Sequence, residues 1–517
     1  DSTVFREELD VPSFFFAFID DHYDYHTAKD IPERLDKRSL AHQGSYLTSS
    51  LNHFSDVDLN QLKSNSNNVY FNFPFIGIIT FPYTLSSYLI ILSFVLLIVG
   101  LIYGIRKHKI SKKAILNGFI AFSSAVIVSF IIGYAGWEII EFIYPEYKVY
   151  LQGFTPNGHY YILGFVLLAI SAYFYTYHKF FRYLQIKNAL VAPLFYWLVI
   201  NILLLFYLPG GTFFVLPLLL SILIWFVYLY YRRFSLFLIS LVLLPIVFIN
   251  VPYIKSFPVG LGLNSIYISC VFSILTIGLL MPLILPLRNK KIVSYIALIS
   301  SIVFFLVAHF NSNFNKERPK PNSLVYYVDH ENKKAYWKTY DQILDSWTKP
   351  YFDKENQHSI DDKKETSFES KYHNQFKHSA QANYHEFSLV AINKSRKKKS
   401  YSFEIQPYKN TRRISLFKMN NFQIDSLYIN NKDFTHHIET NQLNKKNRIL
   451  TYYVVDRHLI QIKIFTNKTP KIQLNASSYT LFDSKELDVK PRSNSFIPKP
   501  FLLNDAIIQK RMIDFKK

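Results

Sequence analysis

Hydrophobic residues are concentrated in the middle of the chain, in long runs of Leu, Ile, Phe and Val between about Tyr83 and Phe310, while both flanks are polar. Eight runs are long enough to cross a hydrocarbon core of about 30 Å as helices. Their approximate bounds are 84–105, 114–136, 160–178, 189–208, 212–231, 234–250, 263–287 and 292–310. The pattern predicts a transmembrane bundle of eight helices, in which the sixth, with Pro245 inside it, is short.

The C-terminal region, from about Arg318 to Lys517, has a different pattern, with short alternating stretches separated by Asn, Lys and Asp clusters. Alternation of this kind predicts strands that are buried on one face. The clearest stretches are SLVYYVD, YSFEIQPY, RISLFKM, ILTYYVV and LIQIKIF. We expect an all-β, sandwich-like domain, with the polar segment 353–384 as a long loop.

The N-terminal flank predicts the end of an α/β domain. VPSFFFAFI, residues 11–19, is a continuous apolar run that favours a strand covered on both faces. After a polar loop, Asp30 followed by Pro32 and Glu33 predicts a capped helix start. A second helix is expected over SLAHQGSYLTSSLNHF, with Leu40, Leu47 and Leu51 on one stripe. The fold class is therefore mixed, with regions 1–75, 76–311 and 312–517.

Charge refines this organisation, because Lys and Arg accumulate in the cytoplasmic connections of membrane proteins. The first, third, fifth and seventh connections between the predicted spans carry thirteen basic residues: Arg106, Lys107, Lys109, Lys112, Lys113, Lys179, Arg182, Lys187, Arg232, Arg233, Arg288, Lys290 and Lys291. The others carry only Lys148 and Lys255. We therefore expect both polar flanks to be extracytoplasmic.

The net charge of +21 lies largely beside the spans, and much of the rest is Lys in the C-terminal region, including the run 397–399. No recognition motif is interleaved with these lysines, so a solvated face is expected and no nucleic-acid partner. The only cysteine, Cys270, lies within an apolar run. It excludes an intrachain disulfide and a cysteine-based zinc site within this chain.

Candidate chemistry is concentrated in IDDHYDYHTAKD, residues 19–30, where His22 and His26 are four positions apart among aspartates. This spacing occurs in helical two-histidine zinc motifs, but the loop context and the missing HExxH glutamate argue against that class. A carboxylate such as Asp24 or Asp30 could fix the tautomer of a zinc-bound imidazole. On these residues alone, a metal site and a polar surface loop both remain open.

The opening residues resemble the closing motif of the di-zinc aminopeptidase family, metallopeptidase family twenty-eight. The matching residues are Asp1, Phe5, Val11-Pro12-Ser13, Tyr25-His26-Thr27 and Asp30. The resemblance implies that His26 is a zinc ligand, with Asp30 or Asp24 behind it, and that Tyr25 helps to stabilise the tetrahedral intermediate. His22 matches no ligand.

Two further stretches resemble the multi-span branch of that family, called vacuolar membrane protease or endoplasmic reticulum metallopeptidase. Residues 69–83 are similar to its bridge between the peptidase domain and the first span, and residues 323–348 to the start of its luminal C-terminal domain. In the second stretch the likeness is carried by Asp329, Ala335, Trp337, Asp341 and Trp347.

The resemblance implies a site with two zinc ions, whose other ligands and general base precede the segment at which this chain starts. The chain begins without Met or a signal peptide, so we expect a fragment that lacks most of the peptidase domain and is inactive alone. The full-length protein is expected to be a membrane-anchored zinc exopeptidase that cleaves peptides on the extracytoplasmic side. The expected location is a bacterial inner membrane, or else a vacuolar or endoplasmic reticulum membrane.

A transporter or a scaffold whose peptidase-like part is not catalytic is the alternative function. Ionisable residues within spans are the usual sign of a transport pathway. The candidates are Glu138, Glu141, His178 and His309, which all lie close to the predicted span ends and fit interfacial positions. Neither the oligomeric state nor the peptide specificity follows from the sequence.

Overall fold

The computed structural model describes residues 2–515, except for 18, 21–22, 60–61, 63–65, 182, 232–234, 353–375, 441–442 and 446. Contacts between residues divide the chain into two units. The first contains Asp1–Asp24 and Ile31–Asn313, and the second contains Tyr25–Asp30 and Phe314–Lys517. The short Tyr25–Asp30 segment therefore groups with the C-terminal region and not with the residues on either side of it.

The first unit is mainly helical. Its helices are α1 Ser2–Leu9, α2 Lys37–Phe54, α3 Tyr83–Arg106, α4 Lys112–Ile143, α5 Gly158–Lys179, α6 Ile186–Ala189, α7 Val191–Tyr207, α8 Val215–Tyr230, α9 Leu236–Leu261, α10 Ile266–Leu279, α11 Met281–Ile284 and α12 Lys290–Phe310. Short 3-10 turns cover Pro32–Arg34, Pro145–Val149, Pro209–Phe214 and Leu263–Ser265. Seven helical segments in the described residues are long and apolar enough to cross a membrane, as a multi-pass membrane protein requires.

The seventh predicted span, 263–287, is a shorter apolar helix over Leu263–Leu279. At 17 residues it rises about 25 Å, less than the hydrocarbon thickness. Leu280 leaves the helical region at φ −88 and ψ 6, and α11 follows. Pro282 explains the break, because proline has no N–H to donate and its ring would clash with the carbonyl four residues earlier.

Helix α9 is longer than the predicted span 234–250, and continues through Pro245, Pro252 and Pro258 to Leu261. A proline within a helix removes the hydrogen bond to the carbonyl four residues before it. For Pro258 that carbonyl belongs to Ile254, and the Ser269 hydroxyl of α10 donates to it at 2.6 Å. The neighbouring helix thus replaces the lost bond, which is how membrane helices tolerate proline.

Small residues bring α4 and α10 together. A Cβ atom added to Gly133 would lie 2.4 Å from the Cα atom of Tyr267. Gly133 shares one buried face of α4 with Ala125 and Ser129, at intervals of four residues. Such stripes let helix backbones approach closely in membranes, where packing replaces the hydrophobic drive of water.

The predicted strand at VPSFFFAFI is wrong for the residues that the structure describes. Residues 11–17 form no strand and are exposed, with Phe14 and Phe15 at 66% and 69%. A strand needs a neighbour to pair its backbone groups, and the two strands described in this flank, β1 Asn68–Phe73 and β2 Gly77–Pro82, pair with each other. The α/β peptidase fold expected for region 1–75 is therefore not seen.

The predicted helix 39–54 is confirmed as α2. Asp36 caps it by accepting hydrogen bonds from the backbone N–H groups of Arg38 and Ser39. The separate helix start predicted after Asp30 is wrong, because Pro32–Arg34 is only a 3-10 turn with no side-chain cap. Asp36 is favoured because a capping carboxylate must sit within three residues of the N–H groups that it accepts. The predicted apolar stripe of α2, Leu40, Leu47 and Leu51, is exposed.

The second unit contains the remaining strands. They are β3 Lys320–Asn322, β4 Val325–Asp329, β5 Lys334–Thr339, β6 His378–Ala382, β7 Val390–Lys397, β8 Ser400–Pro407, β9 Arg413–Lys418, β10 Ser426–Ile429, β11 Lys432–Asp433, β12 Arg448–Tyr453, β13 Ile460–Phe465, β14 Lys471–Ser478, β15 Phe496–Pro498 and β16 Ala506–Asp514. Helix α13 is the single turn His437–Thr440, and a 3-10 turn covers Lys349–Tyr351. All five stretches named from the sequence contain a strand, so the all-β prediction is confirmed.

These strands form two main sheets. One has the order β11-β10-β13-β8-β7, and the other has the order β12-β9-β14-β16-β4-β5-β6. Phe403 and Ile462 of the first sheet share a buried cluster with Leu416 and Leu474 of the second. The predicted loop 353–384 is partly wrong, because His378–Ala382 pairs with β5 as strand β6. Residues 353–375 lie outside the described part.

Candidate functional site

The loop singled out by the sequence bends at two residues with positive φ, Asp20 at 131° and His26 at 59°. The left-handed region is uncommon for residues with a Cβ atom, although Asn, Asp and His occupy it more often than most. After His26, the backbone N–H of Asp30 donates to the Thr27 carbonyl and that of Lys29 to the Thr27 hydroxyl. A compact turn therefore presents the His26 side chain.

Aromatic contacts orient the His26 ring. It stacks on Tyr25 with the ring centroids 4.0 Å apart, and Phe501 of the same unit lies 4.8 Å from it. Phe501 also packs against Tyr25 at 5.8 Å. Tyr25 and His26 are exposed, and no described residue forms a hydrogen bond with the imidazole. Tyr25 covers one face of the ring, and Phe501 lies tilted beside it, at 50° to its plane.

The turn that carries Phe501 is braced by buried polar contacts. The Lys499 ammonium forms an ion pair with Asp341 at 3.0 Å, and both side chains are almost fully buried. The backbone N–H of Lys499 donates to the Asn322 carbonyl, and the Asn504 amide donates to the Lys499 carbonyl. Phe501 itself has a φ of 66°. The tertiary contacts around it hold a conformation that a bulky residue would otherwise avoid.

A cavity of about 610 Å³ lies beside this turn, within the same unit. Ala28 and Lys29 of the loop form one part of its wall, and Lys316 forms another. Its apolar lining comes from Phe482, Val489, Pro491, Phe496 and Ile497. The size and the mixture of apolar walls with a few charges are typical of sites for small organic ligands.

Arg492 forms the charged wall of the cavity. Its guanidinium makes two hydrogen bonds to Asp505, at 2.6 and 2.5 Å, and a third to the Asn322 side chain at 2.6 Å. The same group lies 4.1 Å from the Trp347 ring. Paired bonds and stacking together fix an arginine more rigidly than either does alone. The wall is therefore preformed.

The part of the loop that belongs to the first unit is held by the ends of the helices. Asp20 forms a hydrogen bond with the His159 imidazole at 2.8 Å and an ion pair with Lys255 at 2.6 Å. Tyr23 packs against Tyr150, with their ring centroids 5.6 Å apart. Burial raises the pKa of the Tyr150 phenol well above its ordinary value, so the group stays neutral. These contacts order the residues immediately before Tyr25.

The other predicted site residues have separate surroundings. Asp24 forms an ion pair with Arg34 at 2.6 Å, so at least part of its charge is balanced there. Asp30 is exposed and takes part in the turn through its backbone. Their predicted roles beside a zinc ligand stay predictions. His22 and Asp21 lie outside the described residues.

A zinc site needs three or four protein ligands in close proximity. In the part of the chain that the structure describes, no group of three or more His, Cys, Asp or Glu side chains could hold a metal ion. His26 is a single candidate ligand. The described residues therefore do not fit a zinc centre by themselves.

Two of the ionisable residues considered as transport candidates, Glu141 and His309, lie near the ends of their helices. Glu141 accepts a hydrogen bond from Trp137 and lies 3.6 Å from Lys148, and the His309 ring contacts the Tyr144 hydroxyl. Such partners are typical of the membrane interface. These residues give no support to a charged pathway through the bundle.

Four residues of this region were not predicted from the sequence: Phe501, Arg492, Asp505 and Lys499. All four lie in the polar, proline-rich stretch 491–505, far along the chain from His26. Its three prolines, Pro491, Pro498 and Pro500, mark it as a turn-rich segment. That signal does not indicate which distant loop it contacts.

No family model, curated protein or solved structure matches the chain.

Proposed function

We propose that this chain is part of a membrane-anchored, zinc-dependent exopeptidase of the aminopeptidase type. In this proposal His26 supplies one zinc ligand, Tyr25 supplies a hydrogen-bond donor beside it, and the remaining ligands of the two-zinc site precede residue 1. The resemblance of Tyr25-His26-Thr27 to the closing motif of metallopeptidase family twenty-eight is the source of these assignments.

One observation carries the proposal: the imidazole of His26 is presented at an exposed turn, stacked on Tyr25, and forms no hydrogen bond with a described residue. A metal ligand needs this arrangement, because the metal approaches a ring nitrogen in the plane of the ring. Tyr25 is stacked on the same imidazole, so its phenol lies close to whatever His26 binds. A phenol at that distance is a suitable donor to a developing oxyanion.

The neighbouring cavity supports a peptide as substrate. It is lined by the same loop, and it combines apolar walls with Lys29, Lys316 and the Arg492–Asp505 pair. A peptide side chain could be buried against Phe482 and Phe496 while its backbone remained near the turn. In this proposal α10 and α11 together complete an eighth crossing, so both flanks are extracytoplasmic, in a bacterial inner membrane or in a vacuolar or endoplasmic reticulum membrane.

The proposal is tested with the full-length protein in detergent, by measuring zinc content and the hydrolysis of aminoacyl substrates. His26→Ala should remove bound zinc and lower kcat/KM more than about 100-fold, since even outer partners of a ligand cost 10- to 100-fold. Tyr25→Phe should keep the zinc and lower kcat by about 100-fold or more, as the loss of one oxyanion donor does.

The matched control is His458→Ala, because His458 is a highly exposed histidine of the same unit. It should leave both zinc content and hydrolysis unchanged. Full zinc content and activity in His26→Ala would contradict the proposal. Wild-type protein that bound no zinc and cleaved no peptide would instead favour a non-catalytic scaffold.

A further inference from the structure

A second cavity, of about 580 Å³, lies in the first unit where the connection before α4 meets the connection before α6. His108, Lys109 and Ser111 line it from the first connection, Phe181 lines it from the second, and Lys187 lines it from α6. Its lining is mainly polar. Two segments that are distant in sequence thus place lysines around one space.

The walls of this cavity are fixed. Asn188 is buried, and its side-chain oxygen accepts a hydrogen bond from the backbone N–H of Ser111. The Lys187 carbonyl accepts a hydrogen bond from the Trp225 indole at 2.8 Å. Gly118 of α4 packs against the backbone of Asn188, where an added Cβ atom would be only 2.9 Å from the carbonyl oxygen. The cavity therefore exists before any ligand binds.

The charge around the cavity is unbalanced. Between Asp58 and Glu317 the only carboxylates of the sequence are Glu138, Glu141 and Glu146. All three lie at or beyond the far end of α4, a helix of 32 residues and therefore about 48 Å long. In the described residues, neither Lys109 nor Lys187 forms an ion pair, and each is only half-buried.

The start of α4 adds to the excess of positive charge. Lys112 and Lys113 occupy its first turn, where the helix dipole disfavours cations. The general preference for basic residues on the cytoplasmic side explains exposed lysines along this rim. It does not explain a preformed polar cavity with two lysines in its wall, which a bound anion would account for.

Aromatic residues place this cavity at headgroup level. Phe180 and Tyr183 are exposed beside it, and the Lys179 ammonium lies 5.2 Å from the Phe180 ring. Exposed aromatics at the end of a membrane helix usually lie in the interfacial layer. Basic pockets between helices on this side of a membrane are known to take anionic headgroups.

From this geometry we infer that the cavity binds a phosphate group, carried by an anionic lipid headgroup or by a soluble phosphate compound, with Lys109 and Lys187 as its charged contacts. The bound phosphate balances these two lysines and the first turn of α4. It also joins the connections before α4 and α6. The site is independent of the proposed peptidase.

The test uses the full chain in zwitterionic nanodiscs, with binding of phosphatidylglycerol measured by native mass spectrometry. Each lysine near such a headgroup strengthens binding about fivefold, so Lys109→Gln with Lys187→Gln should weaken it roughly 25-fold. The pair Lys109→Arg and Lys187→Arg should retain it, which separates lost charge from a folding defect. Lys291→Gln is the matched control, since Lys291 is an exposed lysine in the first turn of α12 and does not line the cavity.

A second arm adds millimolar inorganic phosphate to the same nanodiscs, with and without phosphatidylglycerol. Retention of phosphatidylglycerol with no competition from millimolar phosphate identifies a lipid site, and competition identifies a soluble phosphate site. Binding no stronger than that of phosphatidylcholine, in the absence of phosphate binding, would overturn the inference. Equal loss in Lys291→Gln and in the double glutamine variant would also overturn it, because it would show only a diffuse surface potential.

Discussion

His26 is positioned by ring contacts with residues from both ends of the chain. Tyr25 is its neighbour in sequence, but Phe501 reaches it only because the second unit is folded. The Tyr25–His26 pair could be identified from the sequence, because the chemistry of its two residue types and their spacing are recognisable. Phe501 could not, because a single aromatic residue in a turn has no pattern that identifies its partner.

The backbone of Phe501 offers a direct test of this positioning. Phe501→Ala and Phe501→Gly both delete the ring, but only glycine adopts a φ of 66° without steric cost. The glycine variant should therefore be about 1 kcal/mol more stable than the alanine variant. Urea unfolding in detergent measures this, with Trp337 and Trp347 as fluorescent reporters in the second unit.

Leu502→Ala is the comparison for loss of side-chain volume in the same turn, because Leu502 has no positive φ. At that position glycine should be no more stable than alanine. If the alanine variant at 501 equalled or exceeded the glycine variant, the turn would not be held in the left-handed conformation. The stack on His26 would then need another explanation.

At the scale of elements, the long apolar runs predicted the helices well, whereas proline positions were interpreted too simply. Pro245 suggested a short sixth span, yet α9 is 26 residues long and contains three prolines. Pro282 ended the next helix instead. At Pro258 the freed Ile254 carbonyl accepts a hydrogen bond from Ser269 of α10, a tertiary contact that the local sequence does not contain.

The dependence on neighbouring elements also explains why the strand predicted in the N-terminal flank is not formed by the described residues. A continuous apolar run predicts a strand only if neighbouring strands are present, and the described residues supply none for 11–17. Phe14 and Phe15 are exposed, as expected for an apolar segment that pairs with no described strand. The alternating C-terminal stretches were easier to predict, because each contains its own inward and outward faces.

The contact between Ser269 and α9 predicts a double-mutant result. Ser269→Ala should destabilise the bundle by about 1 kcal/mol, because the Ile254 carbonyl loses the hydroxyl that replaces its helical donor. Adding Pro258→Ala should restore most of that loss, since an alanine at this position has the backbone N–H that proline lacks. Thermal or SDS-induced unfolding in detergent provides the measurement.

Ser256→Ala is the control for removing a hydroxyl from the same region. Ser256 donates to the Pro252 carbonyl, which the backbone N–H of residue 256 also reaches in a regular helix. Its removal should change stability very little. A double variant no more stable than Ser269→Ala alone would show that the serine does not compensate for the proline.

At the scale of the whole molecule, the order of a polar flank, apolar helices and a β-rich region was evident from composition and periodicity. The grouping of Tyr25–Asp30 with the β-rich unit was not, because it depends on contacts between residues at opposite ends of the chain. The alternation of basic residues between successive helical connections is also a property of the whole molecule. It predicts sidedness, which decides whether the proposed site faces the cytoplasm.

Sidedness can be measured by cysteine labelling, because Cys270 is the only cysteine of the chain and is fully buried. Asn52→Cys and Lys432→Cys place exposed thiols in the two polar flanks, and Lys107→Cys places one in a basic connection. An impermeant maleimide should label the first two in intact spheroplasts and the third only after permeabilisation. This follows because thirteen basic residues against two give a strong retention signal for one side. Labelling of Lys107→Cys in intact spheroplasts together with protection of Lys432→Cys would reverse the orientation, and the loop with His26 would then meet cytoplasmic peptides.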